Sequence, residues 1–178
     1  MRTRSLIVGG AAVAMSTLLL LSTGLTASAD TTDATVTVTG GALSITAPAN
    51  AGSLGSRVNT VAGGNISGPL GQVQVEDARS AAAGSGWVAS VISTAFTPSA
   101  GPAIAASEVS YTAGAITKVG TATYTANNPG NLTGVAPAVT ATGITGDNSA
   151  TWSPTITVAV PGGMAAAVYS AVITHSVA

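Results

Sequence analysis

Cysteine is absent from this chain, histidine occurs once, and only 6% of its 178 residues are charged, against about 25% in an ordinary soluble protein. Aromatic residues are scarce too: two tryptophans, three tyrosines and one phenylalanine. Without cysteine there is no thiol nucleophile, no disulfide scaffold and no cysteine-based zinc site, and a single histidine cannot build a multi-histidine metal centre. That histidine, His175, has no Gly-x-Ser-x-Gly elbow to accompany it, so a Ser-His-Asp hydrolase is not indicated either. No cofactor is expected.

The scarce charges are informative by position. Arg2 and Arg4 precede an uncharged stretch from Ser5 to Ser28, followed by Ala27-Ser28-Ala29. A basic start, an apolar run and a small-x-small site describe a secretory signal peptide over residues 1–29, with cleavage before Asp30. The remaining chain, 30–178, is expected to form one domain and to be exported. It keeps three basic residues (Arg57, Arg79, Lys118) against six acidic ones (Asp30, Asp33, Glu76, Asp77, Glu108, Asp147), a net charge of −3. Three scattered cations make no basic track for a phosphate backbone, which excludes nucleic acid as a partner. With no cysteine for a lipid, no sortase motif and no apolar tail, no stable membrane anchor is expected after cleavage. Retention at a surface would be non-covalent.

Threonine, valine, alanine and glycine dominate what is present, and no segment sustains a 3.6-residue apolar repeat. That composition predicts an all-β fold. Ala34–Ala47 reads as a hairpin turning at Gly40-Gly41, with Val38 opposite Leu43 and Val36 opposite Ile45. Residues 48–64 read as a loop with a short extended piece at 58–61. Strands are expected at Gly71–Glu76, Trp87–Phe96, Glu108–Thr112, Ile116–Ala126, Thr155–Val160 and within Ala166–Val177. Ala78–Gly86 reads as a small, flexible connection and Asn127–Asp147 as mostly turn, with short extended pieces at Val135 and Val139. Short strands separated by turn signals predict a Greek-key-like antiparallel β-sandwich.

Catalytic groups are few. Glu76 and Asp77 are neighbours on an extended segment and point to opposite faces, so a glycoside hydrolase would need Glu76 and Glu108 to converge. The chain therefore reads as non-enzymatic. Asp77 and Arg79, two apart, share a face; they either receive a ligand or form an ion pair that pins the connection before Trp87, and the second reading is favoured. Trp87, Trp152 and Tyr169 could stack on sugar rings or fill the core, and the core is the favoured place for Trp87 and Tyr169. Trp152, beside Ser153-Pro154 at a strand start, suits the surface as readily as the interior.

Two segments carry a family resemblance. The first runs Val73-Gln74-Val75-Glu76-Asp77-Ala78-Arg79, then Gly86-Trp87-Val88-Ala89; the second is Tyr169-Ser170-Ala171-Val172-Ile173-Thr174-His175-Ser176-Val177. Together, over Val73–Val177, they resemble the WxL domain, a cell-surface module of Gram-positive bacteria. Ala89 stands where that family has leucine, and His175 where it has a second tryptophan. An actinobacterial relative would suit the alanine-, glycine- and threonine-rich composition. The resemblance implies a secreted, cell-wall-associated β-sandwich that binds peptidoglycan or another wall glycan non-covalently, with other surface proteins as further partners. The candidate wall-binding or motif residues are then Asp77, Arg79, Trp87, Trp152, Tyr169 and His175. The rival reading is a matrix or filament subunit that assembles through its sheet edges, with Thr35–Ala47 and Ala166–Val177 as candidate edges. On the closing strand His175 shares a face with Tyr169, Ala171, Ile173 and Val177, where burial should lower its pKa.

Overall fold

The computed structural model describes Asp30–Ala178; the signal-peptide reading of 1–29 lies outside the described residues. Asp30–Thr37 is exposed and has no regular structure, and Val38–Ala178 forms one compact unit. That unit is an antiparallel β-sandwich of ten strands with a single turn of 3-10 helix at Ala106–Glu108.

The larger sheet is built around β3 (Val73–Ser93) and β7 (Ala136–Trp152), which pair along most of their lengths. β6 (Ile116–Ala126) lies outside β7. On the other side of β3, two short strands share one edge: β1 (Leu43–Thr46) pairs with its first half and β10 (Ile173–Val177) with its second. The opposing sheet places β8 (Thr155–Val160) between β2 (Gly64–Pro69) and β5 (Val109–Thr112). A two-residue ribbon joins β4 (Thr97–Pro98) to β9 (Tyr169–Ser170).

Period-two alternation aims each sheet at the other. In β3, Val73, Val75, Trp87, Ala89 and Val91 are buried between more exposed neighbours; Ile156 and Val158 of β8 and Val109 and Tyr111 of β5 face them across the core. Three short corners where the chain changes sheets lie together, from Pro69 to Val73, from Thr112 to Ile116 and from Trp152 to Thr155. They are tied together by the Leu70 N–H donating to the Pro154 carbonyl at 2.9 Å and by the pairing of Trp152 with Val73 and Ile116.

Four local expectations are corrected. The Ala34–Ala47 hairpin does not form: Val36 and Val38 are 90% and 88% exposed, and Leu43–Thr46 pairs instead with Gln74–Asp77 of β3. The strand edge of β3 offers Leu43 and Ile45 a packed apolar face, which an isolated hairpin cannot supply. Ala78–Gly86 is not a flexible connection but the middle of β3, and most of Asn127–Asp147 belongs to β7. Both stretches are weak strand formers, and each is held by the other, as in the pairing of Ala81 with Gly146 and Ser85 with Ile144. β2 lies just beyond the expected 48–64 loop, and Val58–Val61 is not a strand.

Candidate functional site

Asp77 sits where β3 leaves regular register; the ladder with β7 shifts between Asp77 and Ala81, and Ser80 adopts φ 53°. Its carboxylate is 1% exposed. It accepts from Arg79 Nε at 2.8 Å, Arg79 Nη2 at 3.0 Å, the Arg79 backbone N–H at 3.2 Å and Asn148 Nδ2 at 3.2 Å. The forked geometry is the strongest form of a carboxylate–guanidinium contact. The Arg79 donors hold the Asp77 carboxyl below the ordinary carboxylate value, against the opposing pull of burial, and the same pairing raises Arg79. Nη2 of Arg79 also donates to the Gly86 carbonyl at 3.3 Å, and Asp147 accepts from the Ser80 N–H at 2.8 Å, so both sides of the irregular stretch are tied.

Asn148 extends this cluster into the core. Its Oδ1 accepts from Trp87 Nε1 at 3.0 Å and from the Tyr124 hydroxyl at 3.1 Å, while the Trp87 and Tyr124 rings lie 5.7 Å apart. Burial, with a smaller contribution from the Asp77 carboxylate, raises the Tyr124 phenol. Every polar atom of this constellation that leaves water has a partner, as it must. Arg79 fastens Asp77, Asp77 fastens Asn148, and Asn148 fastens Trp87. The arrangement is a structural pin in which, among the described residues, no buried side-chain polar atom lacks a partner.

A second chain of polar aromatics lies deeper. Trp152 Nε1 donates to the Tyr111 hydroxyl at 2.7 Å, and His175 Nε2 lies 3.3 Å from that hydroxyl. Burial pushes the Tyr111 phenol up to about 12 and lowers His175. A histidine whose folded pKa is depressed is disfavoured by protonation of the native state. Its stabilising contribution is full above its ordinary value of 6.5 and is lost as pH falls below it. The expected result is a melting temperature that declines below about pH 6.5 and a His175→Phe variant that lacks this part of the decline. Thermal melts of both chains between pH 7.5 and 5 check it; equal slopes would contradict it.

The sequence favoured the core for Trp87, where it lies, and left Trp152 open between core and surface. Both are 2% exposed, so neither ring can stack on a sugar. The surface reading of Trp152 is overturned: it fills the corner where the chain changes sheets. Tyr169 remains half-buried on β9 and donates its hydroxyl to the Ala165 carbonyl at 2.9 Å. Tyr111, Tyr124 and Asn148 were not singled out from the sequence. The tyrosines could have been found as polar aromatics on alternating apolar strands, but Asn148 lies in a run of turn-type residues that gives no such signal.

The two resemblance-bearing segments are neighbours in space. β10 pairs with the second half of β3, setting Val177 beside Ala89 and His175 beside Val91. Residues 169–173 and His175 then form one wall of an open cleft of about 900 Å³, whose other wall is the loop 47–57. The cleft is lined by the buried Phe96, Ile104 and Met164, and toward solvent by amides and hydroxyls together with the exposed apolar Val168 and Val172, with Arg57 the one charged group. Arg57 is itself engaged, donating to the Gly63 carbonyl at 2.6 Å.

Glu76 borders a separate, shallow depression of about 210 Å³ with Asp77 and Asp147, whereas Glu108 lines neither that depression nor the cleft. Glu76 lies on the outer face of the larger sheet and Glu108 is exposed at the start of β5 in the opposing one. Among the described residues, no group of three histidine, aspartate or glutamate side chains could hold a metal ion, and no helix is long and apolar enough to cross a membrane. No protein-family model, no curated protein and no solved structure matches this chain.

Proposed function

We propose that this protein is a non-enzymatic, exported binding module that attaches non-covalently to cell-wall glycan, and that the cleft beside β9 and β10 receives the ligand. The observation that carries this reading is that the distal resemblance-bearing segment, Tyr169 to His175, forms a cleft wall rather than core alone. A cleft lined by apolar side chains and neutral hydrogen-bonding groups suits a saccharide, which presents apolar ring faces and many hydroxyls. Tyr169 is the aromatic face in this cleft best placed for such stacking, and Val172, 63% exposed, lies on the same wall. The buried tryptophans act indirectly, by holding β3 and β7 in the register that supports β10.

Co-sedimentation with insoluble peptidoglycan tests the proposal. Saturable binding is expected, weakened about tenfold or more by Tyr169→Ala and by Val172→Asp, with circular dichroism unchanged. A folded wild-type chain that stays in the supernatant, or binding indifferent to both substitutions, would overturn it.

A further inference from the structure

Residues 34–39, Ala-Thr-Val-Thr-Val-Thr, carry the alternation and β-branching of a strand, yet they pair with nothing and hold Val36 and Val38 almost fully in solvent. A stretch this suited to a sheet and this apolar on one face is a strand without a ladder.

The larger sheet has a matching vacancy. β6 pairs with β7 on one side only. Gly120, at φ +86°, breaks its register, and a Cβ there would lie 2.6 Å from the Asp147 carbonyl oxygen. Beyond that break, Thr121–Ala126 contains no charge and no proline, the usual guards of an exposed edge. Its threonines 121, 123 and 125 face solvent, and Ala122, Tyr124 and Ala126 face the core side.

We propose that Ala34–Thr39 of one copy adds as an antiparallel strand to the outer edge of Thr121–Ala126 of a second copy. The two six-residue stretches fit in one register: Val36 beside Tyr124, Val38 beside Ala122, Ala34 beside Ala126, and threonine beside threonine on the outer face. Both valines then join the face that already packs inward, and every threonine gains the cross-strand partner that sheets favour.

A chain cannot do this to itself. The Gly41 N–H is bonded to the Ala78 carbonyl, which holds residue 41 beside β3 on the edge opposite β6. Thr39 lies two residues away and can reach about 7 Å. A strand outside β6 is four strand spacings distant, about 19 Å. Donor and acceptor therefore sit on opposite edges of the sheet, so the contact is head-to-tail and repeats from copy to copy rather than closing a dimer. The acceptor is β6 rather than the Ala166–Val177 edge considered from the sequence: Ile173–Val177 is also paired on one side only, but it offers five residues, His175 among them, and not the six-residue threonine alternation that matches the donor.

The test uses the protein produced from its full coding sequence. Sedimentation velocity across a hundredfold range of concentration should show species that grow in steps, and Val36→Asp with Val38→Asp should weaken the association about tenfold or more. Because the chain has no cysteine of its own, Thr37→Cys mixed with Thr123→Cys should cross-link under mild oxidation, while Thr37→Cys mixed with Thr117→Cys should not. A monomer at all concentrations with no cross-link, multimers that survive the paired aspartate substitution, or equal cross-linking at positions 123 and 117 would each overturn the proposal. Folding is not at issue for the donor variants, since their side chains are exposed.

Discussion

Replacement of Trp152 by alanine is expected to destabilise the fold by about 3–5 kcal/mol, a fall in melting temperature of about 10 °C or more. Three elements converge on this side chain. Trp152 ends β7, pairs with Val73 and Ile116 on its two sides, and starts the corner into β8. Its ring lies against the core at 2% exposure, and its Nε1 donates to the buried Tyr111 hydroxyl. Alanine leaves a cavity at the junction of both sheets and removes one of the two partners of that hydroxyl. Phenylalanine restores most of the volume but not the donor, and should cost less, about 1–3 kcal/mol. Denaturant titration of the three proteins measures the series; an alanine variant within about 1 kcal/mol of wild type would contradict the corner as described.

The second large effect is expected at Asp77. Asp77→Ala removes the acceptor of four hydrogen bonds and leaves the Asn148 amide, buried with Trp87, without its anchor. A loss of about 2–4 kcal/mol is expected, below the figure for a wholly buried pair because the Arg79 side chain is 39% exposed to solvent and can rehydrate. The pair also sets an acid limit. Asp77 has a folded pKa below the ordinary aspartate value, so its contribution is complete above that value and is lost as pH falls through the lower folded one. Acid titration followed by tryptophan fluorescence should show wild type losing this increment below about pH 4 and Asp77→Ala, already lacking it, showing a flatter approach. A variant as stable as wild type at pH 7 would mean that the ion pair is superficial.

Much of the fold was legible where alternation and turn signals agree. Ile116–Ala126 and Thr155–Val160 were read to the residue, since each is a β-branched run closed by glycine, proline or asparagine. The pattern failed where small residues carry the strand. Ala78–Gly86 and Asn127–Asp147 have little strand preference of their own, and their extended form follows from pairing with one another across more than fifty residues of chain. The opposite error arose at Val36 and Val38, where local pattern was strong and the tertiary partner absent. At the candidate site, Asp77 and Arg79 could be paired from a two-residue spacing because a strand brings such residues to one face. The Trp152–Tyr111–His175 chain could not, because it joins three strands 41 and 64 positions apart. The cleft was equally hidden, since one of its walls is a loop whose sequence carries only turn signals.

The placement of β3 at the centre of the larger sheet bears on the order in which the molecule can assemble. β3 emerges early in synthesis, but β7 follows about forty residues later and β10 about eighty, so its ladders with those two strands close only after long chain loops. Such closure is entropically slow, and sandwiches of this kind fold in milliseconds to seconds rather than microseconds. Throughout that interval Val73, Val75, Val88, Val91 and Ile92 remain uncovered, with Glu76, Asp77 and Arg79 as the only charges in the strand to discourage clumping. Until those ladders form, β3 is the segment of this chain most prone to associate with another chain.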